Sequence, residues 1–201
     1  MTSKIAVANR ALTKLGDARI TSLDDDQKAA REVNSMFDTV RDDELRARAW
    51  SFSITRAELP ALTDAPLFGY TMQYQLPTTC LRLVELAGWW VGPSMADYRN
   101  SPDREFVIEG RRILCSIAAP LRIRYIQQID DTGLWDANFV EAFACRLAAE
   151  LAEPLTQSTT RKADMWQEYD RAIAKGRRAN AIELPPDEIQ DDTWVIGRRR
   201  G

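Results

Sequence analysis

Residues 25–50 contain neither glycine nor proline, and no other feature of this sequence restricts the fold so strongly. Within them Ala30, Val33, Phe37, Val40 and Leu45 recur at helical spacing, so one unbroken amphipathic helix is expected. At about 1.5 Å per residue it would run roughly 39 Å, more than a small globule needs for its own packing. Asp24 followed by Gln27 has the spacing of a capping box, and Asp24, Asp25 and Asp26 together place negative charge at the positive end of the helix dipole. The same triplet is a poor calcium loop, because the glycine hinge and the distant bidentate Glu are missing. The polar face of the helix is either solvated or a contact between subunits, for which Arg41, Glu44 and Arg48 are the candidates.

Other helices follow by the same logic. Ser3 caps a first helix over 3–15 that ends at Gly16, and Asp136 opens another over 136–153 that ends at Pro154. A fourth is expected over 158–176, burying Ala163, Trp166, Tyr169 and Ile173. Between them the period changes. Tyr70, Met72, Tyr74 and Leu76 alternate with polar residues as in a half-buried strand, and 81–86, 106–108, 113–117 and 121–126 are further strand candidates. Residues 109–112 form a turn between two of these, and residues 92–103 read as a projecting loop. The expected class is therefore α+β, mainly α: a four-helix bundle with an inserted small antiparallel β lobe and an extended C-terminal tail. The divisions are 1–65 and 131–182 for the helices, 66–130 for the lobe and 183–201 for the tail.

Composition narrows the chemistry. The chain has 201 residues, room for one core domain with an appended lobe, and 45% hydrophobic content suits an ordinary core. A net charge of −3 argues against gripping nucleic acid with a whole basic face. No histidine is present, which removes the commonest general acid/base and metal ligand, and neither a P-loop nor a G-x-S-x-G or G-x-G-x-x-G motif occurs. Cys80, Cys115 and Cys145 are too few and too widely spaced for a disulfide framework or a zinc site, and are expected as buried thiols. No catalytic residue, metal or cofactor is therefore assigned. With no apolar run long enough for a membrane span or a secretion signal, a soluble protein made in a cytoplasm, without a membrane partner, is expected.

Two tryptophan sites have no evident core to enter. Trp89 and Trp90 are adjacent at a strand end and are candidates for contact with a tail partner. Trp194, with Val195 and Ile196, is the apolar anchor of a polar tail that ends on Arg198, Arg199 and Arg200.

Segments along most of the chain resemble the podovirus tail tubular protein A family, the head-to-tail adaptors of short-tailed phages. They run in order from Ala11-Leu12 through Leu15-Gly16 and Ile20-Thr21-Ser22-Leu23 to Arg41-Asp42, Ala49-Trp50-Ser51-Phe52, Arg56-Ala57 and Leu59. Pro66-Leu67-Phe68-Gly69-Tyr70, Leu76-Pro77, Cys80-Leu81-Arg82, Ile108-Glu109-Gly110 and the stretch from Leu121 to Ile126 come next. Phe139-Val140-Glu141-Ala142-Phe143, Leu147-Ala148, Leu151-Ala152, Pro154-Leu155-Thr156-Gln157-Ser158 and the terminal Trp194 with its arginines complete the series. Thr79 stands where the family often has Asp.

The resemblance implies a structural virion protein, assembled in the host cytoplasm. It would form a ring, typically of twelve copies, joining the portal protein to the tail tube or nozzle. Genome DNA would pass through the channel without specific binding. In that setting Trp194, Val195, Ile196 and Arg198, Arg199 and Arg200 are the portal-docking candidates. Two other readings stay open on the residues alone: a DNA-binding regulator using the basic C-terminus, and a tail-associated cell-wall hydrolase.

Overall fold

The computed structural model describes residues 2–87, 89–90 and 106–183. Helix α1 spans Lys4–Leu15, with the Ser3 hydroxyl accepting from the Ala6 amide and Gly16 closing it in the left-handed region at φ 73°. Helix α2 spans Lys28–Ala47 and is shorter at both ends than its sequence suggests. At the start, Gln27 takes the cap position, while the Asp25 carboxylate accepts from the Thr21 and Ser22 amides at 2.7 and 3.1 Å and closes the preceding loop. These bonds hold the Asp25 carboxyl below its ordinary value. At the end, Arg48 turns extended, and this lets Trp50 drive into the core, where it is 2% exposed.

Helix α3 spans Ala137–Thr156, with Asp136 accepting from the Asn138 and Phe139 amides. Pro154 does not end it; the helix runs on to Thr156, and Gln157 closes it at φ 54° with its amide bonded to the Glu153 carbonyl. Helix α4 spans Thr159–Glu183 and passes straight through Gly176. The glycine is needed there for packing, since a Cβ would lie 2.9 Å from the Trp50 ring. One turn later the Asn180 amide clamps the turn after α2, donating to the Ala49 carbonyl and accepting from the Ser51 amide, both at 2.8 Å. α3 is packed against each of the other three helices.

The protein is α+β, with four α-helices and two small antiparallel sheets among the described residues. The first sheet has the order β1-β7-β3-β4, with β1 at Ile54–Leu59, β3 at Cys80–Leu86, β4 at Trp89–Trp90 and β7 at Leu121–Gln127. The second has the order β2-β6-β5, with β2 at Met72–Gln75, β5 at Phe106–Glu109 and β6 at Arg112–Cys115. Strand β1 lies inside residues 1–65, which the sequence assigned to helices. Its Ile-Thr-Arg-Ala-Glu-Leu run alternates too weakly to announce a strand, and pairing along β7, from Ile54 with Ile126 to Leu59 with Leu121, defines it.

Buried side chains gather in two clusters. One fills the helical half and takes in Val84 and Ile126 from the first sheet. The other joins the two sheets through Leu59, Tyr74, Leu83, Ile113, Leu121, Ile123 and Tyr125. Successive side chains of a strand point to opposite faces, so the first sheet serves both clusters. Cys80, Cys115 and Cys145 are free and buried, and burial pushes all three thiols up.

Candidate partner-binding surfaces

Of the three residues expected at a subunit contact, two face inward. Arg41 is 2% exposed and its guanidinium pairs with Asp38, Asp42 and Asp130 at 2.7, 2.8 and 2.6 Å. Burial works against its charge, yet the neighbouring carboxylates outweigh that and raise the guanidinium above its ordinary value. Glu44 is fully buried; it accepts from the Tyr169 hydroxyl at 2.7 Å, pairs with Arg48 at 2.6 Å and lies 3.8 Å from Arg146. Arg48 alone of the three stays partly exposed, at 30%. The inward turn follows from the helix geometry: positions 37, 41, 44 and 45 share one side, and the stripe they form is wider than its apolar members suggest. An inward charge needs a partner inside the chain, and the partners here come from α2, α3, α4 and the loop before α3.

Trp89 and Trp90 form β4, paired with Leu86 and Glu85. The loop expected over 92–103 and the tail candidates Trp194, Val195, Ile196, Arg198, Arg199 and Arg200 lie outside the described residues.

Two surfaces stand out that the sequence reading did not single out as sites. The first is the tip of the loop between β1 and β2, where Leu67 is 98% exposed and Phe68 86% exposed. Pro66 fixes one side of the tip, and Gly69 supplies the positive φ of 86° on the other. Its base is tied down. Gln73 donates to the Asp64 carbonyl at 2.7 Å and accepts from Arg112 at 3.2 Å, and the Leu62 amide donates to the Gln73 carbonyl at 2.9 Å. Two large apolar side chains are thus held in water on an anchored loop. The available signal was an apolar pair set between turn residues, a place where polar residues are usual.

The second surface is an open groove of about 1130 Å³ on the first sheet, lined by Arg56, Glu58, Glu85, Arg122 and Arg124 with Ile117 and Pro120 at one end. Arg56 on β1 stands directly opposite Arg124 on β7, a like-charge pair that a sheet ordinarily avoids. Arg124 pairs with Glu85 at 2.7 Å, but its buried Nε has no hydrogen-bond partner. Arg122 pairs with Glu58 at 2.9 Å, while Arg56 has no ion pair among the described residues. Neighbouring side chains therefore leave the positive charge of the groove incompletely balanced.

Among the described residues no group of three or more Cys, Asp or Glu is arranged to hold a metal ion, and no helix is long and apolar enough to cross a membrane. No protein-family model matches the chain, and no curated protein matches it.

Proposed function

We propose that this chain is a structural virion protein: a head-to-tail adaptor whose copies form a ring between the portal and the tail tube or nozzle of a short-tailed phage. On this reading the four helices work as a bundle, and the sheets are the lobe that projects from it. The ring has twelve copies, as the resemblance implies, and DNA passes through its channel without specific binding. The protein acts by contact alone, a reading supported by the lack of histidine and of nucleotide-binding or nucleophile motifs in the sequence.

The observation that carries the proposal is the Leu67-Phe68 tip. It falls within Pro66-Leu67-Phe68-Gly69-Tyr70, one of the segments on which the resemblance rests, and its two side chains are almost wholly in water. Burying both on assembly would contribute on the order of 3 to 6 kcal/mol before ordering costs. Because the loop base is already hydrogen-bonded, those costs fall mainly on the two side chains. Repetition around a ring multiplies a contact that is weak in one copy. Arg41 and Glu44, satisfied within the chain, have no part in the subunit contact; the tail anchor Trp194-Val195-Ile196 with Arg198, Arg199 and Arg200 docks on the portal.

Mixing the purified chain with portal-containing heads and imaging by electron microscopy tests the proposal. Added rings at the portal vertex are expected with the native chain, and their loss with Leu67→Ser/Phe68→Ser. Heads that stay bare with the native chain would overturn the adaptor reading. Sequence-selective duplex binding would favour a regulator, and lysis zones in a cell-wall gel a hydrolase.

A further inference from the structure

The arginine groove lies close to the point where the described part of α4 ends. Asn180 is hydrogen-bonded to Ala49 and Ser51, and Arg56 follows Ser51 by only five residues, so at most about 17 Å of chain separates them. α4 ends three residues past Asn180, at Glu183. The sequence continues through Asp187, Glu188, Asp191 and Asp192 with no basic residue before Arg198. The nine residues from Glu183 to Asp192 can span up to about 30 Å, so the tether is long enough for the acidic residues to reach Arg56.

The orientation agrees with the distance. Ile126, Arg124 and Arg122 occupy alternate positions of β7, as do Ile54, Arg56 and Glu58 of β1, so all six lie on one face of the sheet. Ile126 is in the helical core, so this is the face turned toward the helices. The groove is its outward continuation, lined by Arg56, Glu58, Arg122 and Arg124.

We propose that the acidic segment 187–192 of the same chain seats in this groove, its carboxylates pairing with the exposed guanidinium groups of Arg56 and Arg122. This goes beyond the adaptor reading and does not depend on it. A tethered segment is present at an effective concentration on the order of millimolar, so weak individual pairs suffice. A phosphate backbone is the poorer occupant, because it lacks the tether and must approach a chain that carries a net charge of −3. Seating 187–192 also sets where Trp194 emerges, two residues later.

Arginine footprinting with phenylglyoxal, read by mass spectrometry on the full chain, tests this. Neutralising the segment with D187N/E188Q/D191N/D192N should raise the modification rate at Arg56 severalfold, leave exposed Arg31 unchanged, and do so equally at concentrations where the chain is monomeric. Arg56→Glu should expose Arg122 in the same way, and combining it with D187K/E188K should restore protection. Circular dichroism confirms that each variant is folded. Equal Arg56 rates with and without the acidic residues would overturn the proposal. So would protection seen only in self-associated protein, which assigns the groove to another copy's tail, or protection that appears only when duplex DNA is added.

Discussion

The two halves of this molecule treat their unusual side chains in opposite ways. In the helical half the large rings and the charges that point inward pack against or pair with groups of the same chain, the buried Trp50 indole N–H being without a hydrogen-bond partner. Phe37, Trp135, Phe139 and Phe143 form a continuous aromatic chain with ring centroids 5.0 to 6.2 Å apart, and Trp50 and Phe52 extend it. Arg41 and Glu44 are enclosed with their counter-charges. In the sheet half the buried cluster is smaller, and groups of equal binding capacity stay unsatisfied at the surface: Leu67 and Phe68 in water, Arg56 facing Arg124. A group satisfied within the chain is explained by folding. One held out without a partner calls for something from outside the lobe.

If that contrast is correct, the largest loss of stability comes from the helical half. Phe143 is fully buried and contacts Phe37, Trp135 and Phe139, so Phe143→Ala should cost about 3 to 5 kcal/mol in urea unfolding. A loss near 1 kcal/mol would mean that this core is loosely packed and that the distinction between the halves is weaker than it looks.

A sharper test reverses a usual sign. Replacing a helical glycine by alanine ordinarily gains about 1 kcal/mol. At Gly176 the new methyl would meet the Trp50 ring at 2.9 and 3.3 Å, and that ring is enclosed by Phe52 and Phe139. Gly176→Ala should therefore destabilise by about 1 to 3 kcal/mol, seen as a lowered thermal midpoint. A raised midpoint would show that the end of α4 is free to shift.

The electrostatic staple between α1 and α3 should have a smaller effect, bounded in pH. Burial works against the charge of Glu141, but Lys14 and Arg10 outweigh it and hold the carboxyl below its ordinary 4.5. A carboxyl lowered by folding adds stability above its ordinary value and loses it as the pH falls through the folded one. Lys14 is the mirror case: burial opposes its charge, Glu141 and Glu168 prevail, and its contribution is present below its ordinary 10.5 and lost as the pH rises through the raised value. Glu141→Gln should thus be less stable than the native chain at pH 7, with the gap closing in acid. A gap that stays constant down to acid pH would exclude the pair as its source.

Much of the helical half was legible because its signals are local. Ser3, Gly16 and Asp136 each form or close a cap with their own neighbours, and the apolar spacing from Ala30 to Leu45 names the buried stripe. What stayed hidden depends on the far side of the fold. Gly176 looks like a stop until Trp50 is placed against it, and Pro154 looks like another until Gln157 is seen closing the helix beyond it. Arg41 and Glu44 look like surface charges until Asp130, Arg146 and Tyr169 arrive from elsewhere in the chain. β1 is defined by its register with a strand more than sixty residues away, and the opposition of Arg56 to Arg124 exists only once that register is set.

The smallest effect on stability is expected at the Leu67-Phe68 tip, where the contrast between the halves is tested most directly. Side chains that are 98% and 86% exposed contribute little packing to lose, so Leu67→Ser/Phe68→Ser should change the free energy of unfolding by less than about 0.5 kcal/mol. Removing exposed apolar area should, if anything, improve solubility. Keeping two such residues in water is unfavourable for an isolated subunit, and a contact made on assembly reverses that. The double variant should therefore match the native chain in circular dichroism and urea midpoint while failing to add rings to portal-containing heads. Stability lost in proportion to attachment would give the tip a role in folding and remove the reason for reading it as a contact. Unchanged stability with unchanged attachment would shift the contact to the C-terminal anchor, where Trp194→Ala is the variant to measure next.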